Sequence, residues 1–487
     1  MIEFTKPFIG GRFRRAHSGD TFTTVNPSNG QAIADVERCD GADVDAAVEA
    51  AQSARSRWRF MKAEDRANVL RSVGQALRKH NDELAMLDTL DAGIPYAETS
   101  RHDVSRSAAL FEHSAGAVDK LYGNTVPIDP KYMSLTFREP FGVVAAITPW
   151  NAPLANAVLS VAPALACGNT VVLKPASESP LSALTLAQVC AEAGLPEGVL
   201  NVIPGPGSDV GMKLASHPGV DKLCFTGSVE TGQRILRCAA ENMKECNMEL
   251  GGKTPVVVFD DADIEAAAKA VSFSAFRRQG QICTAAARLF LHERIADRFI
   301  DRLLAYVREL RVGDPTDMNT QIGPMISLRQ RASVLEYIAK GREEGATLLI
   351  GGGPPEAPAL ARGAYMTPTI FTDIDHSSSL AQEEIFGPVL CVFQFSSEDE
   401  ALHLSNDVRY GLGASVWTKD LERAHFFIRH FEAGLTWVNC INLSHPAIPH
   451  GGFKMSGLGL ENGMEAMLRT YSRSKTAWIN LGSRAEV

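Results

Sequence analysis

No two cysteines of this sequence stand in a CxxC arrangement, and the nine that occur are scattered over 487 residues. An odd, dispersed set argues against a disulfide framework and a clustered zinc site. It predicts a reducing, cytoplasmic setting and no bound metal. Positive charge is also scarce: 57 Asp+Glu face 48 Lys+Arg, for a formal net charge of −9. No basic face for nucleic acid is therefore expected. The start, Met1-Ile2-Glu3-Phe4-Thr5-Lys6, lacks a charged segment leading into an apolar run, so no signal peptide is read there. No repeat of about 20–50 residues is visible. Pro140 to Leu173 carries no charged side chain over 34 residues, yet Pro149, Pro153, Pro163, Asn151, Asn156 and Asn169 interrupt it. A bilayer helix would have to satisfy every one of those breaks. A buried strand, loop and helix take them easily, and no membrane partner is expected.

What is present is an ordinary globular composition, 45% hydrophobic and 22% charged. The length suits two or three domains at roughly 100–200 residues each. Short apolar runs alternate with helical patterns, the signature of βα units and a largely parallel sheet. Gly142 to Ile147 reads as a buried strand, Leu154 to Cys167 as a helix of small residues, and Thr170 to Leu173 as a second strand. A helix over Ser182 to Ala193, a strand over Gly198 to Ile203, a strand over Asp221 to Phe225 and a helix over Glu230 to Asn242 complete one nucleotide-binding array. A second array begins with the strand Thr254 to Phe259 and the helix Ile264 to Phe276, and alternates onward to about residue 450. Amphipathic helices over Asp43 to Arg57 and Ala63 to Leu87 flank the first array. Leu121 to Arg138 and Arg469 to Leu481 are polar and rich in β-formers. Each is expected on a sheet edge, able to pair with another subunit.

Three stretches concentrate chemistry. Thr148-Pro149-Trp150-Asn151 ends a buried strand, where ligands of such sheets sit, and the Asn151 amide there can donate to a developing oxyanion. It can equally cap the helix after Pro153. Phe225-Thr226-Gly227-Ser228 joins strand to helix and presents backbone N–H groups and Ser228 to an anion, or is simply a tight turn. Lys174 can meet a phosphate or ribose, or only water. Glu249 in Glu249-Leu250-Gly251-Gly252-Lys253 can activate water, and Cys283 in Gln279-Gly280-Gln281-Ile282-Cys283 can act as nucleophile. A cysteine is also often a small buried hydrophobe. Nothing in the spacing alone brings Glu249 and Cys283 together.

Taken in order, TPWN (148–151), FTGSxExG (225–232), MELGGK (248–253), QGQIC (279–283), EEIFGPV (383–389) and GGFKMSG (451–457) resemble the aldehyde dehydrogenase superfamily across essentially the whole chain. The resemblance implies two Rossmann-like open parallel-sheet domains plus a small β oligomerisation flap. The cofactor domain would span 1–120 and 141–252, the catalytic domain 253–452, and the flap 121–140 and 468–487. Cys283 would attack the aldehyde, Asn151 and the Cys283 backbone N–H would hold the oxyanion, and Glu249 would activate the water that releases the acid. Trp150 and Lys174 would line the adenosine ribose, Gly227 and Ser228 the pyrophosphate, and Glu384 with Phe386 the nicotinamide end. NAD-preferring members commonly place Glu three residues after the lysine. Here that position is Ser177, so the cofactor is NAD or NADP.

The resemblance also frames the substrate pocket. Ala152, Leu159 and His450 stand where other members carry bulky aromatics, which implies an opened acyl pocket beside Ile282 and Thr284. Arg277 matches an arginine that succinic semialdehyde dehydrogenases use for a carboxylate, while their second arginine corresponds to Leu159. The substrate is thus a small aldehyde, a semialdehyde or an aromatic one, or Arg277 is an ordinary ion-pair partner. A homodimer or homotetramer is expected. Two rival readings are a CoA-acylating enzyme, which generally lacks the carboxylate of Glu249, and a catalytically idle binding or structural protein.

Overall fold

The computed structural model describes residues 4–482. Its first sheet is built around Val143–Ile147, whose five residues are all buried and β-branched or small, as a strand covered on both faces requires. Five parallel strands run Leu200–Val202, Thr170–Lys174, Val143–Ile147, Lys222–Thr226 and Glu245–Glu249. The strands that follow Val143–Ile147 first add on one side and then, from Lys222, on the other. The loops after Ile147 and Thr226 therefore diverge and open a crevice at the carboxyl ends, the switch point where such sheets bind ligands. Antiparallel Phe8–Ile9 and Arg12–Phe13 close one edge. Gly457–Leu458 returns to the other and pairs with Glu249 and Met248.

The second sheet has six parallel strands, Thr369–Thr372, Val389–Phe395, Ala286–His292, Thr254–Val258, Gly413–Trp417 and Leu435–Val438, with Thr347–Ile350 antiparallel at one edge. Inside it, fully buried Arg288 donates to the carbonyls of Lys253 at 3.0 Å, Leu404 at 2.9 Å and Ser405 at 2.7 Å. A buried guanidinium must be hydrogen-bonded throughout to be tolerated. Here it ties the segment after Glu249 to the helix Glu398–Asn406.

Most elements fall where the pattern predicts them, within one or two residues. The helix expected over Ala63 to Leu87 is two helices, Ala63–Lys79 and Asn81–Ala92, because His80 leaves helical geometry at φ −91°, ψ 19°. An N-terminal hairpin, Thr21–Val25 with Ala32–Glu37, was not anticipated. The two extended pieces pair with each other inside one chain: Ser472–Asn480 runs antiparallel to Tyr132–Pro140 along its whole length, and Thr125–Asp129 adds a third strand. Arg469 lies in the helix Met464–Thr470, so the extended piece starts only at Ser472. Residues 483–487 of the expected flap lie outside the described residues. Among the described residues no helix is long and apolar enough to cross a membrane.

Candidate active site

The crevice of the first sheet faces the second sheet across one cavity with about 1230 Å³ of empty space, its open mouth included. Asn151, Glu249 and Cys283 all line it, as do Ala152, Leu159, Arg277, Ile282, Thr284 and His450. Asn151 does not cap the following helix. That role falls to Ala152, without a side-chain bond, ahead of Pro153 at the first helical position. Instead the Asn151 amide Nδ2 donates to the carbonyl of Gln281 at 2.9 Å, and its Oδ1 accepts from Asn156 Nδ2 at 3.1 Å. An amide carries two N–H bonds. One is spent on the loop that carries Cys283, and the other remains for a ligand.

The Cys283 loop is held in an unusual backbone. Arg278, Gln279 and Gly280 are consecutive left-handed residues at φ 51°, 58° and 67°. Non-glycine residues there cost on the order of 1–3 kcal/mol each, and persist only where surroundings over-determine them. Arg278 is anchored by Glu98 and by Asp103, the latter at 2.5 Å. Gln281 Oε1 accepts from the Ile326 N–H at 3.1 Å. Gly280 cannot carry a side chain, since a Cβ would meet the Gly387 carbonyl at 2.3 Å. The Cys283 backbone N–H makes no hydrogen bond to another described backbone group.

Glu249 ends its strand 5% exposed, and neither carboxyl oxygen has a hydrogen-bond partner. Burial, then the neighbouring charge of Glu461, pushes it well above the usual carboxylate range. Glu461 itself is pushed up to about 7 by burial. His450, with Nε2 at 3.9 Å from Glu249, is pushed down to about 4 by burial and then by Arg106, so the pair is not an ion pair near neutrality. The Cys283 thiol is pushed up to about 12, first by burial and then by Glu384, Glu249 and Glu461. The thiol is thus held in its neutral form. Glu461, which sequence reasoning missed, reaches the site through a backbone pair with His450, at 2.7 and 2.6 Å. No short-range pattern announces it.

These shifts set a pH dependence. Two buried carboxyls that feel each other's charge titrate as a pair. Their basic form is lost as pH falls through a raised value near 7 for Glu461. Turnover is expected to fall about tenfold per pH unit below that point. A steady-state profile that stays flat down to the ordinary carboxylate range would contradict it.

At the carboxyl end of the first sheet, Lys174 is 4% exposed at the end of its strand and makes no ion pair or side-chain hydrogen bond with another described residue. Burial pulls its amino group down to about 8. Positions Gly207 and Gly211 approach its side chain to 3.9 Å from an added Cβ, and Ser177 Oγ donates to the Gly205 carbonyl at 2.8 Å. Gly227 and Ser228 precede the helix Val229–Ala240, and the Ser228 hydroxyl caps it by accepting from the Thr231 N–H at 3.3 Å. Glu384 Oε1 accepts from the Gly252 N–H at 2.9 Å, and burial pushes its carboxyl up to about 7. Phe386, at φ 52°, sets its ring edge-on to Trp150 at 5.3 Å. An unpartnered buried ammonium, a helix N-terminus and a carboxylate at the far end suit a dinucleotide: phosphate and ribose at one end, a second ribose at the other. Arg277, by contrast, is engaged by Glu98 at 2.8 Å and stands 5.4 Å over the Phe273 ring.

Two parallel-sheet units, one with a crevice at its switch point and one carrying a half-buried thiol, define a two-sheet α/β enzyme. The chain belongs to the aldehyde dehydrogenase family, whose sequence profile matches residues 13–477. It is similar in structure to a Burkholderia cenocepacia protein described as an aldehyde dehydrogenase, with 43% identity over 99% of this chain and 98% of that one, TM-score 0.97. PnpE from Pseudomonas sp. WBC-3 is 40% identical over 98% of each chain, TM-score 0.97, and has also been solved with nicotinamide adenine dinucleotide. The indole-3-acetaldehyde dehydrogenase AldA of P. syringae, solved as a mutant with NAD+ and IAA, is 40% identical over 99% of this chain and 97% of that one, TM-score 0.96.

Proposed function

We propose that the chain oxidises an aldehyde to its carboxylic acid through a covalent intermediate on Cys283, with NAD or NADP. The observation that carries this is the convergence of Asn151, Glu249 and Cys283 on one cavity, with both Glu249 oxygens unpartnered. The thiol proton passes to the carboxyl pair of Glu249 and Glu461, and Sγ adds to the carbonyl carbon to form a thiohemiacetal. The free Asn151 N–H and the Cys283 backbone N–H donate to the new oxyanion. Losing one such donor typically costs ~3–4 kcal/mol in the barrier. When bound, the nicotinamide supplies the hydride acceptor that leaves a thioester on Cys283. The carboxyl pair then releases its proton to solvent, Glu249 takes one from water, and the hydroxide attacks the thioester; the thiolate leaves, takes that proton back from Glu249, and the acid is released.

Trp150, Lys174 and Ser177 would line the adenosine ribose, Gly227 and Ser228 the pyrophosphate, and Glu384 and Phe386 the nicotinamide end. The first sheet serves as the cofactor domain and the second as the catalytic one. The flap leaves Val126, Ile128, Phe137, Trp478 and Ile479 exposed, and Ser472–Asn480 is a long free edge. Such an edge is normally covered, which supports a homodimer or homotetramer built on it. The nine unpaired cysteines support a reducing, cytoplasmic setting.

An aldehyde panel with NAD and NADP separately, read as formation of reduced nicotinamide, tests the activity. Absence of turnover with every aldehyde and both cofactors overturns the reading. The same assay checks Ser177. A glutamate there would face a 2′-phosphate with like charge, so Ser177→Glu is expected to raise the NAD-to-NADP ratio of kcat/KM about tenfold or more. An unchanged ratio would separate Ser177 from the ribose.

A further inference from the structure

The cavity wall holds three arginines, and only two are matched by acids. Arg277 is bound by Glu98 at 2.8 Å, and Arg278 by Glu98 and by Asp103 at 2.5 Å. Two carboxylates thus neutralise two guanidiniums. Arg106 lines the same cavity and has no ion pair or side-chain hydrogen bond with another described residue. It sits on the helix Val104–Ala117, with Asp103, Ser107 and Leu110 also facing the cavity at the three- and four-residue spacing of one helix face.

Its charge is felt inside. Arg106 adds to the downward push on His450 and opposes the upward push on Glu461. Glu461 lines the same cavity but makes no ion pair or side-chain hydrogen bond with Arg106. A guanidinium stays charged throughout the working range. Arg106 lines the cavity while remaining solvent-exposed, and an uncharged aldehyde would gain nothing from its charge. A substrate bearing its own carboxylate would otherwise meet only the repulsion of Glu249, Glu461 and Glu384 near the thiol. A free guanidinium on the wall offsets that repulsion and fits a carboxylate through two parallel N–H bonds.

We propose that Arg106, not Arg277, binds the far carboxylate of the substrate, and that the cavity therefore takes aldehydes carrying a carboxylate away from the reacting carbonyl. This rests on the aldehyde-oxidising reading of the site. Arg277 is the arginine that sequence comparison favours, but Glu98 already holds it. Arg106 acts as a specificity residue and touches no reacting atom.

The test compares 4-oxobutanoate, 5-oxopentanoate and 4-formylbenzoate with butanal, pentanal and benzaldehyde, in the wild type and in Arg106→Gln and Arg106→Lys. The wild type is expected to prefer at least one acid over its uncharged counterpart. Arg106→Gln should lower kcat/KM for that acid about 10- to 100-fold, mainly through KM. Its loss on the uncharged partner should be at least tenfold smaller. Arg106→Lys should recover part of the loss, keeping the charge but not the two-pronged geometry. In the wild type, added salt should raise KM for the acid and leave the neutral aldehyde unchanged. Equal losses on acid and neutral substrates, or a salt-independent KM, overturn the role of Arg106 alone. No turnover of any aldehyde by the wild type overturns this role and the aldehyde-oxidising reading together.

Discussion

Cys283→Ser is expected to fold as the wild type does and to lose turnover by roughly 10⁴-fold or more, because the covalent route has no substitute nucleophile. The local electrostatics sharpen this expectation. Even the thiol is pushed up to about 12 by burial and by three surrounding carboxyls. A hydroxyl, far less acidic than a thiol, would need a much stronger base than this cluster provides. The substitution exchanges one small atom for another on a loop whose preceding residues, Arg278 and Gln281, are held by Asp103 and Ile326. Its effect on stability should therefore be small, within about 1 kcal/mol. Steady-state rates with a thermal melt separate the two effects. Near-wild-type turnover by Cys283→Ser would end the mechanism proposed above.

Glu249→Gln should separate the two halves of the reaction. The first half still needs a proton acceptor, and Glu461 remains near the thiol to provide it. The second half needs a group that removes a proton from water, and an amide cannot do so. Rapid mixing is expected to show a burst of reduced nicotinamide approaching one per site. A steady rate lowered about 10²- to 10⁴-fold should follow. Steady turnover at the wild-type rate would remove Glu249 as the water-activating group.

The same variant carries a stability signature. Burial raises the folded-state pKa of Glu249 above its unfolded value. The stability linked to that proton is present below the ordinary carboxylate range and is lost as pH rises through the raised value. Glutamine does not ionise, so Glu249→Gln should gain melting temperature relative to the wild type as pH rises. A constant difference across that range would mean that Glu249 ionises as easily in the folded chain as in the unfolded one.

Much of the fold was legible because local patterns carried it. The uncharged apolar run of Val143–Ile147 and the helix ending at Gly168 need only short-range chemistry. The break at His80 was also written locally. Arg78 and Lys79 close one helix and Asp82 and Glu83 open the next, as the helix dipole favours. The continuous hydrophobic pattern hid it. The Thr21–Val25 hairpin likewise has alternating residues on both sides of an Asn-Gly pair, a short-range hairpin signal.

By itself the sequence determined most of the strands and helices in order, and the identity of the thiol, amide and carboxylate bearing the family pattern. Each follows from residue type and from contacts a few positions apart. Tertiary structure alone decided that Glu249 and Cys283 share one cavity, that Glu461 joins them through His450, and that Glu98 occupies Arg277 while Arg106 stays free. Those relations depend on which strands become neighbours. Parallel sheets make that choice through crossovers whose loops and helices impose no fixed sequence spacing on the groups they bring together.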